Sequence, residues 1–147
     1  MTAAYQPENF SPNETIGFLL KRALIQLTAT VDKALTEFDM THAQLGIFLR
    51  LVQGHANTAA DLAREISVDT GAMTRMLDRL EDKDYIRRVR SDTDRRVIEV
   101  CLAEKGKLRA DRMSQVAFDA LNHYLRDFSP EEIDQLKGFL RRVINNT

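Results

Sequence analysis

Tryptophan is absent from this chain of 147 residues, and cysteine occurs once, as Cys101. A single thiol excludes an intrachain disulfide framework and any zinc site built from four cysteines. The three histidines, His42, His55 and His123, are too far apart for a compact zinc-finger spacing, so neither a metal nor a cofactor is expected. Proline occurs three times and never between residues 13 and 129, which leaves that stretch free to be mostly helical. Glycine is sparse at six residues. With no low-complexity linker and no internal repeat, one continuous domain over 1–147 is expected. No apolar run reaches the roughly 18 residues of a membrane span, and residues 1–10 have neither the basic nor the apolar region of a signal peptide. A cytoplasmic chain without a membrane partner is the expectation. Neither sign of charge dominates: 21 Lys and Arg face 22 Asp and Glu, a net charge of -1. That balance excludes a histone-like blanket of positive charge and leaves room for a local basic surface.

What is present is helical spacing. Ser11-Pro12-Asn13-Glu14 reads as a helix start, with serine as cap, proline at the first position and glutamate closing a capping box. Apolar residues recur at Ile16, Leu20, Ala23, Leu24, Leu27, Val31, Leu35 and Phe38, predicting one helix of about 25 residues, roughly 37 Å. A helix that long in so small a protein needs more than its own globule to bury it. Thr41 with Gln44 opens a second helix carrying Leu45, Phe48, Leu49 and Val52, which Gly54 ends. Thr58 opens a short third with Leu62, Ala63 and Ile66. After the tight connection Ser67-Val68-Asp69, Asp69 caps a fourth from about Thr70 to Lys83. Its inner face is Ala72 or Met73, then Met76, Leu77 and Leu80.

The period changes after Asp84. Tyr85–Arg90, the polar turn Ser91–Asp94 and Arg95–Leu102 read as strand, turn, strand, with Ile98, Val100 and Leu102 on one face. Helix returns from 103 to about 127, and Ser129-Pro130-Glu131-Glu132 starts a last one striped by Ile133, Leu136, Phe139, Leu140 and Val143. The fold class is therefore mainly α with a small β-hairpin wing. Residues 41–102, with a short helix, a tight turn, a second helix and a hairpin, form a winged helix-turn-helix.

Five arginines, Arg87, Arg88, Arg90, Arg95 and Arg96, fall within ten residues of the hairpin. A solvated edge strand is one explanation, but placement directly after a helix-turn-helix favours phosphates and narrow minor grooves of double-stranded DNA. The fourth helix then becomes the recognition helix, with Thr70, Met73, Thr74, Arg75 and Arg79 as candidates for its outward face. Arg79 has Glu81 or Asp82 as alternative partners. Arg64 is a candidate phosphate contact, and Thr58 a cap that could also touch one. Arg88, Arg90, Arg95 and Arg96 are the wing candidates. No catalytic constellation is present: HExxH, GxSxG and the P-loop are all missing, and Asp61 with Glu65 reads as a solvated helix face. His42 and His55 read as surface or packing residues, and Cys101 as passive. An enzyme is not expected.

Leu62-Ala63 through Thr74-Arg75, Leu80-Glu81-Asp82-Lys83-Asp84-Tyr85-Ile86-Arg87-Arg88, Asp92-Thr93-Asp94-Arg95-Arg96 and Val100 through Gly106 together resemble the MarR family, the multiple-antibiotic-resistance-type transcriptional regulators. The matching core spans about 60 to 110. The resemblance implies a homodimer built by helices within 11–40 and 103–147, bound to a pseudo-palindromic operator. It implies Arg95 as the minor-groove wing contact, oriented by Asp92 or Asp94, with Arg96 bracing the hairpin or touching phosphate. Two departures from the family pattern stand out. Ala103 replaces the usual threonine cap of the fifth helix, and Asp84 stands where a glycine commonly precedes the wing, although aspartate tolerates a left-handed backbone. The cysteine that peroxide-sensing members carry near the start of the first helix is missing. Family members often release DNA when a small phenol or aromatic carboxylate enters a cleft between the dimer helices and the wing domain. Phe18, Arg22, His42, Phe48, Arg50 and Met76 lie on elements that could border such a cleft, and an arginine beside aromatics would suit a carboxylate. The competing explanation is that Phe and Met at helical spacing are core. The expected function is a DNA-binding transcriptional regulator, a repressor relieved by a small aromatic effector. The alternatives are a ligand-independent regulator or activator, and a helical dimer acting as a protein-interaction adaptor.

Overall fold

The structure, a computed structural model, describes residues 4–54 and 56–146; His55 lies outside the described residues. The long first helix begins later than the Ser11-Pro12 start signal suggests and ends earlier than its apolar stripe. Ser11 makes no side-chain cap bond, and Pro12–Glu14 forms only a single 3-10 turn. Thr15 is extended and its hydroxyl accepts the N–H of Phe18, so α1 runs Ile16–Ala34, followed by a 3-10 turn at Leu35–Phe38. Asp39 in the left-handed region, φ 51°, stops the chain there.

The next three starts fall where the caps predict. α2, His42–Gln53, opens with a complete Thr41–Gln44 capping box and ends at Gly54. α3, Ala59–Glu65, is capped by Thr58, and α4, Thr70–Asp82, by Asp69. β1, Ile86–Arg90, pairs antiparallel with β2, Ile98–Leu102, in a register placing Ile86 opposite Leu102 and Arg90 opposite Ile98. Residues 95–97, expected in the second strand, belong instead to the loop. There Ser91 N–H donates to Val97 O and Val97 N–H to Asp94 O, both at 2.9 Å, closing the tip on itself. α5 is Glu104–Tyr124, with Ala103 offering no cap bond. α6 is Pro130–Ile144, with a complete Ser129–Glu132 box.

The core lies where α1, α2, α4, α5 and the hairpin root converge, around Val31, Leu35, Ile47, Phe48, Leu77, Ile86 and Met113. Tyr85 pins the seam: its hydroxyl donates to Phe38 O at 3.0 Å and its ring meets Phe48 edge-on. Asp84, at φ 59°, takes the left-handed conformation that the turn into β1 requires. Two candidate site residues are core instead. Phe48 is fully buried, and Met73 is 1 % exposed because it continues the Leu77–Leu80 stripe of α4. By contrast α6 buries no residue at all. It lines an apolar groove with α1, where Ile16, Leu19, Leu20, Leu136, Phe139 and Val143 stay exposed.

Candidate nucleic-acid interface

The helix-turn-helix presents the first turns of α4. Asp69 Oδ1 accepts the N–H of Ala72 at 2.8 Å and fixes the helix entry. Thr70, Thr74 and Arg75 are exposed. The Thr74 hydroxyl donates to Thr70 O at 2.9 Å, leaving its oxygen as an acceptor. Arg75 has no ion pair among the described residues, and its guanidinium reaches back beside Gly71, where the Asp69 carboxylate also lies. Arg79, one turn on, lines a groove with Asp32, Thr36, Asp39 and Lys83; the alternative pairing with Glu81 or Asp82 is not formed.

On α3, the Thr58 hydroxyl accepts the N–H of Asp61 and donates to Asp61 Oδ2 at 2.7 Å. That hydroxyl is occupied as a cap. The same bond, together with Arg64, holds the Asp61 carboxyl below the usual carboxylate range. Arg64 is exposed and paired with Asp61.

The wing arginines divide into braces and a free cation. Arg88, a candidate DNA contact, is turned inward and held by Glu81 and Asp78 of α4, each 2.6 Å from Nη2. Arg90 donates to Arg95 O at 3.0 Å and so ties the tip to β1. Asp94 orients Arg96 rather than Arg95, accepting its N–H and Nε at 3.0 and 3.4 Å. Asp92 forms no hydrogen bond with Arg95. The Arg95 guanidinium is exposed and has no partner among the described residues. Sequence reasoning missed Glu81 and Asp78, because Arg88 lies on β1 and only the turn at Asp84 brings it against these two α4 carboxylates.

Behind the helix-turn-helix lies a cavity of about 450 Å³, lined by α2, the α3–α4 turn and α5. Of the six expected cleft residues it takes His42 and Arg50; Phe18, Arg22, Phe48 and Met76 are not among its lining. Phe118 of α5 is the aromatic that lines it. Arg50 is already engaged: Nη1 donates to Gly46 O at 2.8 Å and Nη2 to Glu65 O at 3.3 Å. Its Nε lies 3.0 Å from Glu65 Oε2 as an ion pair, without hydrogen-bond alignment. Among the described residues no helix is long and apolar enough to cross a membrane.

This arrangement matches known proteins. The MarR family model matches residues 40–98, which hold the helix-turn-helix and the wing tip. The Staphylococcus aureus HTH-type transcriptional regulator SarZ is 22 % identical over 138 residues, covering 94 % of this chain and 92 % of SarZ. A mutant of Escherichia coli MarR solved with operator DNA is 28 % identical with a TM-score of 0.80, covering 89 % of this chain and 96 % of MarR. Bordetella bronchiseptica BpsR, solved to explain regulation of its DNA binding by 6-hydroxynicotinic acid, shares the fold at a TM-score of 0.83. It is 20 % identical, with 92 % of this chain and 97 % of BpsR covered. A helix-turn-helix with an open α4 face, an arginine-tipped wing and these likenesses make the chain similar, over residues 40–98, to the MarR family of winged helix-turn-helix, DNA-binding transcriptional regulators.

Proposed function

We propose that this regulator is a homodimeric repressor that leaves its operator when a small aromatic molecule fills the cavity behind the helix-turn-helix. The observation carrying the DNA surface is the unpartnered Arg95 guanidinium at the end of a hairpin tied by its own backbone. Arg95 enters a minor groove, where a weakly hydrated fork suits the narrow, electronegative floor. Thr70, Thr74 and Arg75 meet the adjacent major groove, and Arg64 and Arg96 lie at phosphates. Residues 41–102 form the binding unit, and the helices within 11–40 and 103–147 join two copies. Supporting this division, the exposed apolar residues of α1 and α6 share one groove that their own chain leaves open. Two recognition helices then address half-sites roughly 34 Å apart.

The effector reading rests on the cavity's position. Its wall includes Glu65, Ile66, Ser67 and Val68, the turn that sets α4 against α3. BpsR, of the same fold, is regulated by an aromatic acid, and the apolar lining with Arg50 and His42 suits a ring bearing one polar group.

The test is fluorescence anisotropy on the duplex from the protein's own upstream intergenic region, at near-physiological salt with excess competitor DNA, followed by a genome-wide duplex selection if that duplex is silent. Arg95→Ala is expected to weaken binding about tenfold or more, and one member of a panel of aromatic acids and phenols to release the wild type. Specific binding that no compound reverses would leave a ligand-independent regulator. Failure of both the duplex and the selection would sink the repressor reading.

A further inference from the structure

We propose that Arg88, Glu81 and Asp78 form a joint that fixes the angle between the wing and the recognition helix, which makes Arg88 a positioning residue and not a DNA contact. The inference rests on the DNA-binding reading above, but the joint can also be examined without DNA.

Glu81, in the last turn of α4, spends both carboxylate oxygens on one residue of β1. Oε1 accepts the backbone N–H of Arg88 at 2.9 Å, and Oε2 accepts Nε at 2.9 Å and Nη2 at 2.6 Å. Nη2 reaches a second carboxylate, Asp78 Oδ1, at 2.6 Å. One side chain of the helix therefore holds both the backbone and the guanidinium of the same strand residue, and a second carboxylate sets the fork's rotation. The fork geometry matters, because a lysine ammonium would keep the charge and lose the two-point hold.

The position of the joint decides what it controls. Only Lys83, Asp84 and Tyr85 separate α4 from β1, and Asp84 turns the chain at positive φ. Opposite Arg88 on β2 is Val100, 2 % exposed, whose N–H donates to Asn57 O at 2.6 Å. The hairpin root is thus gripped by α4 on one strand and by the segment before α3 on the other. Beyond it the wing projects through Arg90, Arg95 and Arg96 with no further tie to α4. A wing and a helix that must enter neighbouring grooves lose less freedom on binding when their angle is already set. The three side chains are each between 29 and 52 % exposed, where an ion pair adds little to folding stability. Their specific geometry is better explained by placement of the wing than by stability.

The test uses the full chain with Glu81→Gln, Asp78→Asn, Arg88→Lys and Arg88→Gln. The probes are a duplex enriched by the wild type from a random library and an unrelated duplex of equal length. Electrostatics alone predicts that Glu81→Gln strengthens DNA binding, because a negative charge leaves the surface. The joint predicts the opposite, a loss of about tenfold on the enriched duplex with unrelated-duplex binding unchanged. Arg88→Gln is expected to lose as much while keeping the wild-type slope of log K against log salt; a phosphate contact would reduce that slope by about one. The double variant Glu81→Gln/Arg88→Gln is expected to lose no more than either single, and Arg88→Lys to fall between. Unchanged or tighter binding by Glu81→Gln, or a slope reduced by Arg88→Gln, would overturn the proposal.

Should the wild type enrich no duplex, the DNA-binding reading fails, and ¹⁵N relaxation of the free protein judges the joint alone. Amides of residues 91–97 should then become more mobile in Glu81→Gln and Asp78→Asn, while those of α4 do not. A wing equally rigid in both variants would refute it.

Discussion

Gly106 is the residue on which the seam between wing and α5 closes. A Cβ there would overlap the carbonyl oxygen of Tyr85 and press on the Phe48 ring, while that same carbonyl accepts the N–H of Ala103 at 3.0 Å. In an open helix Gly→Ala stabilises by about 1 kcal/mol; here backbone must move, so Gly106→Ala should destabilise by about 3 kcal/mol. Thermal unfolding should show a midpoint lower by roughly 10 °C. Three residues earlier the sign reverses. Ala103 holds the N-cap position of α5 in extended backbone, φ -74° and ψ 169°, with no oxygen to offer. Ala103→Thr should supply the absent cap and stabilise by about 1 kcal/mol, read as a raised melting midpoint. Ala103 is legible in sequence, as is the left-handed Asp84, because each sits at a local backbone demand that a particular residue type meets or fails to meet. The demand on Gly106 is not, because it comes from Tyr85 and Phe48, which only the fold brings to it. Met73 is legible as well: it stands four before Leu77 and seven before Leu80, and that spacing outweighs its place in the first turn of a recognition helix. Arg88 is different. Nothing local distinguishes a strand arginine aimed at DNA from one aimed at its own helix; only the three-dimensional turn at Asp84 brings Glu81 beside it.

Among elements, the junction of α4 and β1 carries a pH dependence. Hydrogen bonds from Arg88 hold the Glu81 carboxyl below the usual carboxylate range, outweighing desolvation and the repulsion of Asp78. A carboxyl depressed in the folded state binds its proton more readily when unfolded, so its contribution is complete above the pKa of a free glutamate, about 4.3. It disappears as pH falls through the lower folded value. The stability difference between wild type and Glu81→Gln, from urea midpoints, should therefore be constant from pH 7 to about 5 and shrink below about 4. A difference that grows on acidification would contradict the assignment. Comparison with Glu81→Gln is needed because Asp61 shifts in the same direction through Thr58 and Arg64. The caps at Thr41, Thr58, Asp69 and Ser129 made four helix starts readable to the residue. Ser11 misled because Thr15, four residues on, competes for the same role and wins by capping Phe18. The second strand starts at Ile98 because the tip closes through Ser91, Asp94 and Val97, a loop bond that alternation of side chains does not reveal.

At the scale of the whole molecule, the decisive feature is an apolar surface that one chain does not bury. Ile16, Leu24, Phe139 and Val143 are each at least half exposed, and α6 ends the fold without burying a residue. The sequence carried the hint in a first stripe too long for its own globule, but periodicity cannot say what covers a stripe. The homodimer proposed here covers it with the same surface of a second copy, a self-complementary arrangement that a twofold axis permits. Phe139→Asp and Leu20→Glu each place a carboxylate in that seam, and leaving it buried without a partner is costly. Each should weaken dimerisation by about thirtyfold or more, the range of a central interface residue, while the helix-turn-helix core, built from other residues, keeps its helical signal. Sedimentation equilibrium should show monomer replacing dimer at micromolar concentration. Operator binding should fall further than the loss of either residue's own contacts explains, because one recognition helix then binds without the second held a helical turn away. Dimers that survive both substitutions would place the subunit contact elsewhere and leave the α1–α6 groove to another partner.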